Sequence, residues 1–172
     1  ICPPPIAPVS TSLAEQAEKG YRDLVELCAK EKLDMPIPNG HARHAAIILE
    51  TFFKHAEKEV CIFTGELYKD VFDCPDIIKE AAEFLNRHSD NSLSIAYQYE
   101  MNKEALFKKP FVDTITNTSK IPNSSKQVSI FDASRTQRMS HFAIMDHTAF
   151  RLELNHTKCS AIAKFGAPSE TE

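Results

Sequence analysis

The chain has 172 residues, 42% of them apolar and 26% charged, with a net charge of −4. These are ordinary figures for a soluble globular domain, and one of this length buries roughly two thirds of its unfolded surface. No apolar run approaches the ~20 residues needed to cross a bilayer, which excludes a membrane-spanning helix. The five cysteines (Cys2, Cys28, Cys61, Cys74, Cys159) are odd in number, scattered and without a C-x-x-C pair. That pattern speaks for reduced thiols in a cytoplasmic protein, against a disulfide framework or a structural zinc site.

Taken in chain order, "ICPPPIAPVSTS" (residues 1–12) reads as an extended Pro-rich segment, without the basic and apolar regions of a signal peptide. "SLAEQAEKGYRDLVELCAKEKLD" follows as an amphipathic helix, with Ser12 as N-cap and Glu15 three residues on completing a capping box. "MPIPNG" breaks the chain. "HARHAAIILETFFKHAEKE" is the clearest helix, its apolar stripe formed by Ala45, Ile48, Leu49, Phe52, Phe53 and Ala56. It leads into "VCIFT", a buried strand by its β-branched and aromatic content, then a loop, "GELYKDVFDCP". "DIIKEAAEFLNRH" is a further helix, with Asp76 near its start and Arg87 and His88 in its last turn, matching the helix dipole. "LSIAYQY" reads as a strand, "NKEALFKKPFVDTITNT" as a helix interrupted near Pro110, and "SKIPNSSK" as a polar loop. "QVSIFDA", "HFAIMD", "AFRLEL" and "SAIAKF" read as strands, the middle two joined around His147 and Thr148 and the last closing the sheet. This order predicts an α/β fold: a mixed, mainly parallel sheet flanked by helices, forming one domain over residues 13–172.

The order of elements, "EKEVCIFTGELYKDVFDCPDIIKEAAEFL" and the late "HFAIMDHTAFRLE" pair together resemble one unit of the phospholipase D-like superfamily, over residues 41–165. The resemblance implies a half-site motif, His-x-Lys, then four residues and an Asp. In it the histidine attacks phosphorus, the lysine holds phosphate and a second unit's histidine protonates the leaving group. A single unit would therefore act as a dimer. Positions i and i+2 of a strand place the first two groups on one face.

Two alignments test the motif. With His141 in the histidine slot, Ala143 takes the lysine slot and Thr148 the aspartate slot. With Asp146 in the aspartate slot, His141 takes the lysine slot and Met139 the nucleophile slot; this alignment also matches the apolar run "FAIM" before the Asp and is preferred. Neither supplies the His/Lys pair. His141 and Asp146 are then catalytic only in a rebuilt, metal-independent phosphodiesterase or nuclease; otherwise Asp146, ahead of His147, suits a turn-capping role.

Charge is uneven along the chain, −7 over residues 1–100 and +5 over 101–164. A basic second half suits a phosphate-bearing ligand or an acidic partner, although unevenly placed solvated side chains give the same totals. Arg135 and Arg138 in "ASRTQR", with Lys126, are the candidate phosphate contacts, against the alternative of a solvated loop. Lys103, Lys108 and Lys109 alternate with Phe107 and Phe111, either a single-strand platform or a core stripe at i, i+4. His41 and His44 share a helix face, but a helix start is a common place for exposed polar side chains, and no metal is expected. None of the four glycines forms a phosphate loop. "NTS" and "NHT" matter as glycan acceptors only in a secreted protein.

The expected protein is thus a phospholipase D-like module with a degenerate site and no cofactor. It binds nucleic acid, a nucleotide or a protein partner, as a homodimer or as a subunit of a larger assembly. The alternatives are an active phosphodiesterase using His141 and a structural adaptor.

Overall fold

The computed structural model describes residues 12–99, 102–118, 127–137, 140–155 and 160–166. Lys126, Arg138, Met139, His156, Cys2 and Cys159, the extended reading of residues 1–11 and the polar loop 119–126 lie outside them.

The described chain runs α1 (Leu13–Lys30), β1 (Ile37–Asn39), α2 (Ala42–His55), β2 (Glu59–Thr64), α3 (Lys69–Phe72), α4 (Pro75–Arg87), β3 (Ser92–Tyr97), α5 (Lys103–Phe107), α6 (Pro110–Thr118), β4 (Val128–Asp132), β5 (Phe142–Met145), β6 (Ala149–Asn155) and β7 (Ser160–Phe165). The seven strands form one sheet in the order β1-β7-β6-β5-β2-β3-β4. The α/β class holds, but the sheet is mostly antiparallel: only β2–β3 and β3–β4 are parallel, while the four pairs from β1 to β2 are antiparallel. The reason is the connections. A parallel pair needs a long crossover, and only α4 and the α5–α6 pair supply one between neighbouring strands. β5, β6 and β7 follow one another through short links and fold back as antiparallel strands.

α1 begins as the sequence indicates. Ser12 Oγ accepts from Glu15 N and Glu15 Oε2 accepts from Ser12 N, a complete capping box. Arg87, the basic residue in the last turn of α4, also reaches back to the carbonyls of Ala56 (2.8 Å) and Phe53 (3.4 Å) and satisfies the end of α2. Three corrections concern short elements. "IPN" is an edge strand, which tolerates Pro38 because one side of it needs no ladder bond. The loop before α4 contains α3. The interruption expected near Pro110 is present, and because Pro110 opens a new helix, Phe107 and Phe111 do not share one stripe: Phe111 is fully buried and Phe107 exposed. β7 is also not the edge, since β1 lies outside it.

All the described helices of two turns or more bury residues against one face of the sheet. Val60 and Ile62, Leu93 and Ile95, Ala143 and Met145, and Ala163 and Phe165 join Phe52, Phe53, Phe84 and Phe111 in a single core. The alternate strand residues, including Cys61, Phe63, Phe142, Ile144, Phe150, Leu152 and Ile162, are only partly buried. Among the described residues, Cys28, Cys61 and Cys74 are free thiols, and no helix is long and apolar enough to cross a membrane.

Candidate functional site

β2 and β3 end, and β5 begins, at the same edge of the sheet. The edge also receives the ends of β6 and β1, because each neighbour in that direction is antiparallel. Asn39, Thr64, Gly65, Tyr97, His141 and Glu153 therefore gather there although they are far apart in sequence. This is the end at which α/β sheets place their ligands, beyond the carboxyl ends of parallel strands.

His141 lies buried one residue before β5. Its backbone carbonyl accepts from Glu153 N (2.9 Å), which places the two side chains opposite one another on the helix-covered face. Glu153 Oε2 stands 3.5 Å from His141 Nδ1 and 3.9 Å from an Arg151 terminal nitrogen. Arg151 is itself buried, and its Nε donates to Asn39 Oδ1 at 2.8 Å. The register explains how it reaches. Arg151 pairs with Ala163 and Glu153 with Ala161 on β7, and Asn39 pairs with Ala161 from the other side. Two alanines leave the intervening strand low, so the guanidinium crosses it to the edge. The buried Asn39, His141 and Arg151 and the half-buried Glu153 thus compensate one another, as burial of charge requires.

Gly65 makes room for the imidazole. A Cβ there would stand 2.8 Å from His141 Cε1 and 2.8 Å from a ring carbon of Tyr99. The Tyr99 ring meets His141 edge-on, centroids 6.2 Å apart. Beside this cluster is a cavity of about 280 Å³, its apolar lining including Ala45, Leu49, Ile62, Val71, Phe72 and Ala143 and its polar lining Thr64, Glu66, His141, Arg151 and Glu153. Ala143, two residues on from His141 and on the same face, presents only a methyl group to it.

Asp146 is elsewhere. It sits in the turn after β5, at the far end of that strand from His141, so the two candidate catalytic residues are not brought together. Its carboxylate accepts from the backbone N–H groups of Glu57 (2.6 Å), Lys58 (2.9 Å) and Glu59 (2.8 Å), pinning the start of β2. Asp146 and His147 both have left-handed backbone (φ 50° and 54°), and Thr148 N donates to Met145 O across them. A tight hairpin needs this twist, and aspartate adopts it more easily than most residues. Arg135 is exposed in the turn after β4. The carboxyl of Asp132 nearby is held below the ordinary range by hydrogen bonds from Ser134, helped by the charges of Lys103 and Arg135. Gln98 Nε2 donates to Gln137 O (2.8 Å), anchoring this turn to the end of β3.

No group of three or more metal-ligating side chains occurs among the described residues. His44 stacks on Tyr21 (centroids 3.7 Å, planes 8° apart) and meets His41 at 3.7 Å. Burial, then the charge of His41, lowers the His44 pKa, and burial pushes the Tyr21 phenol up to about 12. Of the lysines after β3, Lys108 bonds Glu104 (2.6 Å) and Lys109 donates to Leu67 O (2.9 Å).

The sequence reading missed Arg151, Glu153, Asn39, Gly65 and Tyr99. The signal was the alternation in "AFRLEL", where Arg and Glu fall two apart on a strand; hydropathy alone turns Phe150, Leu152 and Leu154 inward instead. In the fold Leu154 is 65% exposed and Arg151 is buried.

No known family's sequence profile matches the chain, and no curated protein sequence matches it. Likeness appears among solved structures. The fold is similar to that of TrmBL2, an archaeal chromatin protein, with a TM-score of 0.55 and 10% identity, over 92% of this chain and 57% of that one. The chain therefore spans less than two thirds of that protein. NucT from Helicobacter pylori is matched at a TM-score of 0.49 and 16% identity (80% of this chain, 88% of that one). Phosphatidylserine synthase from Haemophilus influenzae is matched at 0.45 and 12% identity (79% and 35%). What is shared at such identities is fold alone.

Proposed function

We propose that this chain is a non-catalytic, phospholipase D-like binding module whose strand-edge cavity takes a compact, largely apolar ligand with one polar end. The observation that carries the reading is the Glu153 carboxylate in contact with His141. A phosphodiester entering the cavity meets that carboxylate. Two like charges about 4 Å apart repel by roughly 4 kcal/mol at the effective dielectric of a protein edge. The Arg151 guanidinium is already engaged by Asn39 and Glu153, and the position two residues after His141 offers only the methyl of Ala143. An apolar cavity with a few convergent polar groups is the usual form of a small-molecule site.

A phosphate-bearing ligand belongs on the outer surface beside Arg135; Lys126 and Arg138 are further candidates by their place in the basic half of the sequence. TrmBL2 is described as binding DNA, which is compatible with such a contact. Binding there is salt-dependent and independent of the cavity.

The experiment is a thermal-shift screen of small apolar acids, amides and alcohols on the wild type and on Ala143→Leu, whose larger side chain takes up the cavity volume. Ligands that raise Tm in the wild type and not in Ala143→Leu support the reading; equal shifts in both overturn it. A second reading, in which Glu153 orients His141 as a general base, is favoured by the 3.5 Å contact. Hydrolysis of a generic phosphodiester in the presence of EDTA, lost in His141→Ala, would establish it in place of the first.

A further inference from the structure

The strand-edge cavity has a cause in the sequence and a sign to its charge. Ala42 and Ala45 of α2 and Ala143 of β5 all border it, and three methyl groups leave space that larger side chains fill elsewhere in the core. An apolar cavity of about 150 Å³ takes up benzene, so one of about 280 Å³ holds a single ring carrying a short arm. The charged side chains of the lining are two carboxylates, Glu66 and Glu153, against one guanidinium, Arg151; no lysine borders the cavity among the described residues. The Arg151 charge is already set against other groups. Its Nε donates to Asn39 Oδ1 (2.8 Å), and a terminal nitrogen faces Glu153 Oε2 (3.9 Å). Glu66, by contrast, is exposed in the turn after β2, at the open side of the cavity.

We infer, resting on the cavity's role as a ligand site, that the ligand's polar end is a cation: a compact primary amine, with an apolar ring or branched chain ending in an ammonium group. An ionised carboxylate accepts from several donors at once, so Glu153 can meet an ammonium while it stays beside His141 and Arg151. A hydrogen bond between ions is roughly twice as strong as a neutral one, which favours the ammonium over a hydroxyl of the same shape. A carboxylate ligand meets its own sign twice, at Glu66 on entry and at Glu153 inside. The field of Glu66 draws cations to the same opening.

Three probes of one shape decide it: benzylamine, benzyl alcohol and benzoate, titrated calorimetrically into the whole chain at neutral pH and fixed ionic strength. Benzylamine should bind the wild type about tenfold more tightly than benzyl alcohol, and benzoate should bind most weakly. Glu153→Gln keeps the shape of the side chain and removes its charge, so amine and alcohol should then bind alike. Glu66→Gln, at an exposed position, should narrow the preference by a smaller factor, and it tests the charge independently if Glu153→Gln proves misfolded by circular dichroism. Ala143→Leu should abolish binding of every probe. Alcohol or benzoate binding the wild type as tightly as the amine, with binding lost in Ala143→Leu, overturns the inference and leaves the cavity a ligand site. An amine preference undiminished in both glutamine variants overturns it too. Probes that bind Ala143→Leu as they bind the wild type, or bind neither, overturn both the inference and the site.

Discussion

At Asp146 one side chain carries two duties that the sequence presents as a single motif position. It adopts the left-handed turn between β5 and β6, and its carboxylate collects three consecutive N–H groups at the start of β2. Bonds to an ionised acceptor are the stronger kind, and removing that acceptor leaves three backbone donors to find water in a crowded corner. Asp146→Ala should therefore lower stability by roughly 2–4 kcal/mol, read from urea unfolding. Asp146→Asn keeps the turn and one acceptor and should lose clearly less; equal losses would mean that the turn, and not the carboxylate, is what matters. The turn-capping role was legible from Asp-His at the end of an apolar run. The site around His141 was not, because its partners Arg151, Glu153 and Asn39 come from strands whose neighbour relations no local pattern encodes.

At the scale of elements, α1 and α2 show what holds a peripheral helix in place. Val25, Cys28 and Ala29 bury little apolar area, and the ion pairs Glu18–Arg43 and Glu26–Lys54, with the Tyr21–His44 stack, line the seam between the helices. Hydrogen bonding to Arg43 lowers the Glu18 pKa. Burial would raise that of Glu26, but bonds from Lys54 and His55 outweigh it and lower it. Burial beside His41 lowers that of His44. A group whose folded pKa lies below its unfolded value stabilises above the unfolded value and loses that contribution as pH falls through the folded one. All three act in the same direction. The docking of α1 should begin to weaken below about pH 6.5, where His44 gains a charge in the unfolded chain, and weaken further below pH 4.5, where the glutamates follow. Hydrogen exchange of the α1 amides measured from pH 7 to pH 4, corrected for intrinsic rates, should show protection falling in α1 before it falls in β2 and β3. Uniform loss across the chain would instead indicate a global acid transition. The helices themselves, and the break near Pro110, were readable in the sequence because periodicity, capping and proline are local signals; α3, a single turn, was not.

Over the whole molecule the strands were identifiable one by one, but not their order. A run such as "HFAIMD" marks a strand by composition; whether it lies parallel or antiparallel to "VCIFT" depends on the connection between them, and there the short links overrode the parallel expectation. The sheet that results is covered unevenly. Ile95 on β3 is fully buried beneath the helices, whereas Ile144 on β5, on the opposite face, is only partly buried. The same substitution at the two positions separates the faces, since Ile→Thr keeps the β-branch and changes little but polarity and one methylene. Ile95→Thr buries a hydroxyl in the apolar core and leaves a small void, at a cost of roughly 2–4 kcal/mol. Ile144→Thr leaves its hydroxyl within reach of water and should cost less than about 1 kcal/mol. Paired denaturant titrations measure both, with equal slopes confirming that each variant unfolds from the same compact state. If the two costs are alike, the second face is covered in solution and the sheet is enclosed on both sides.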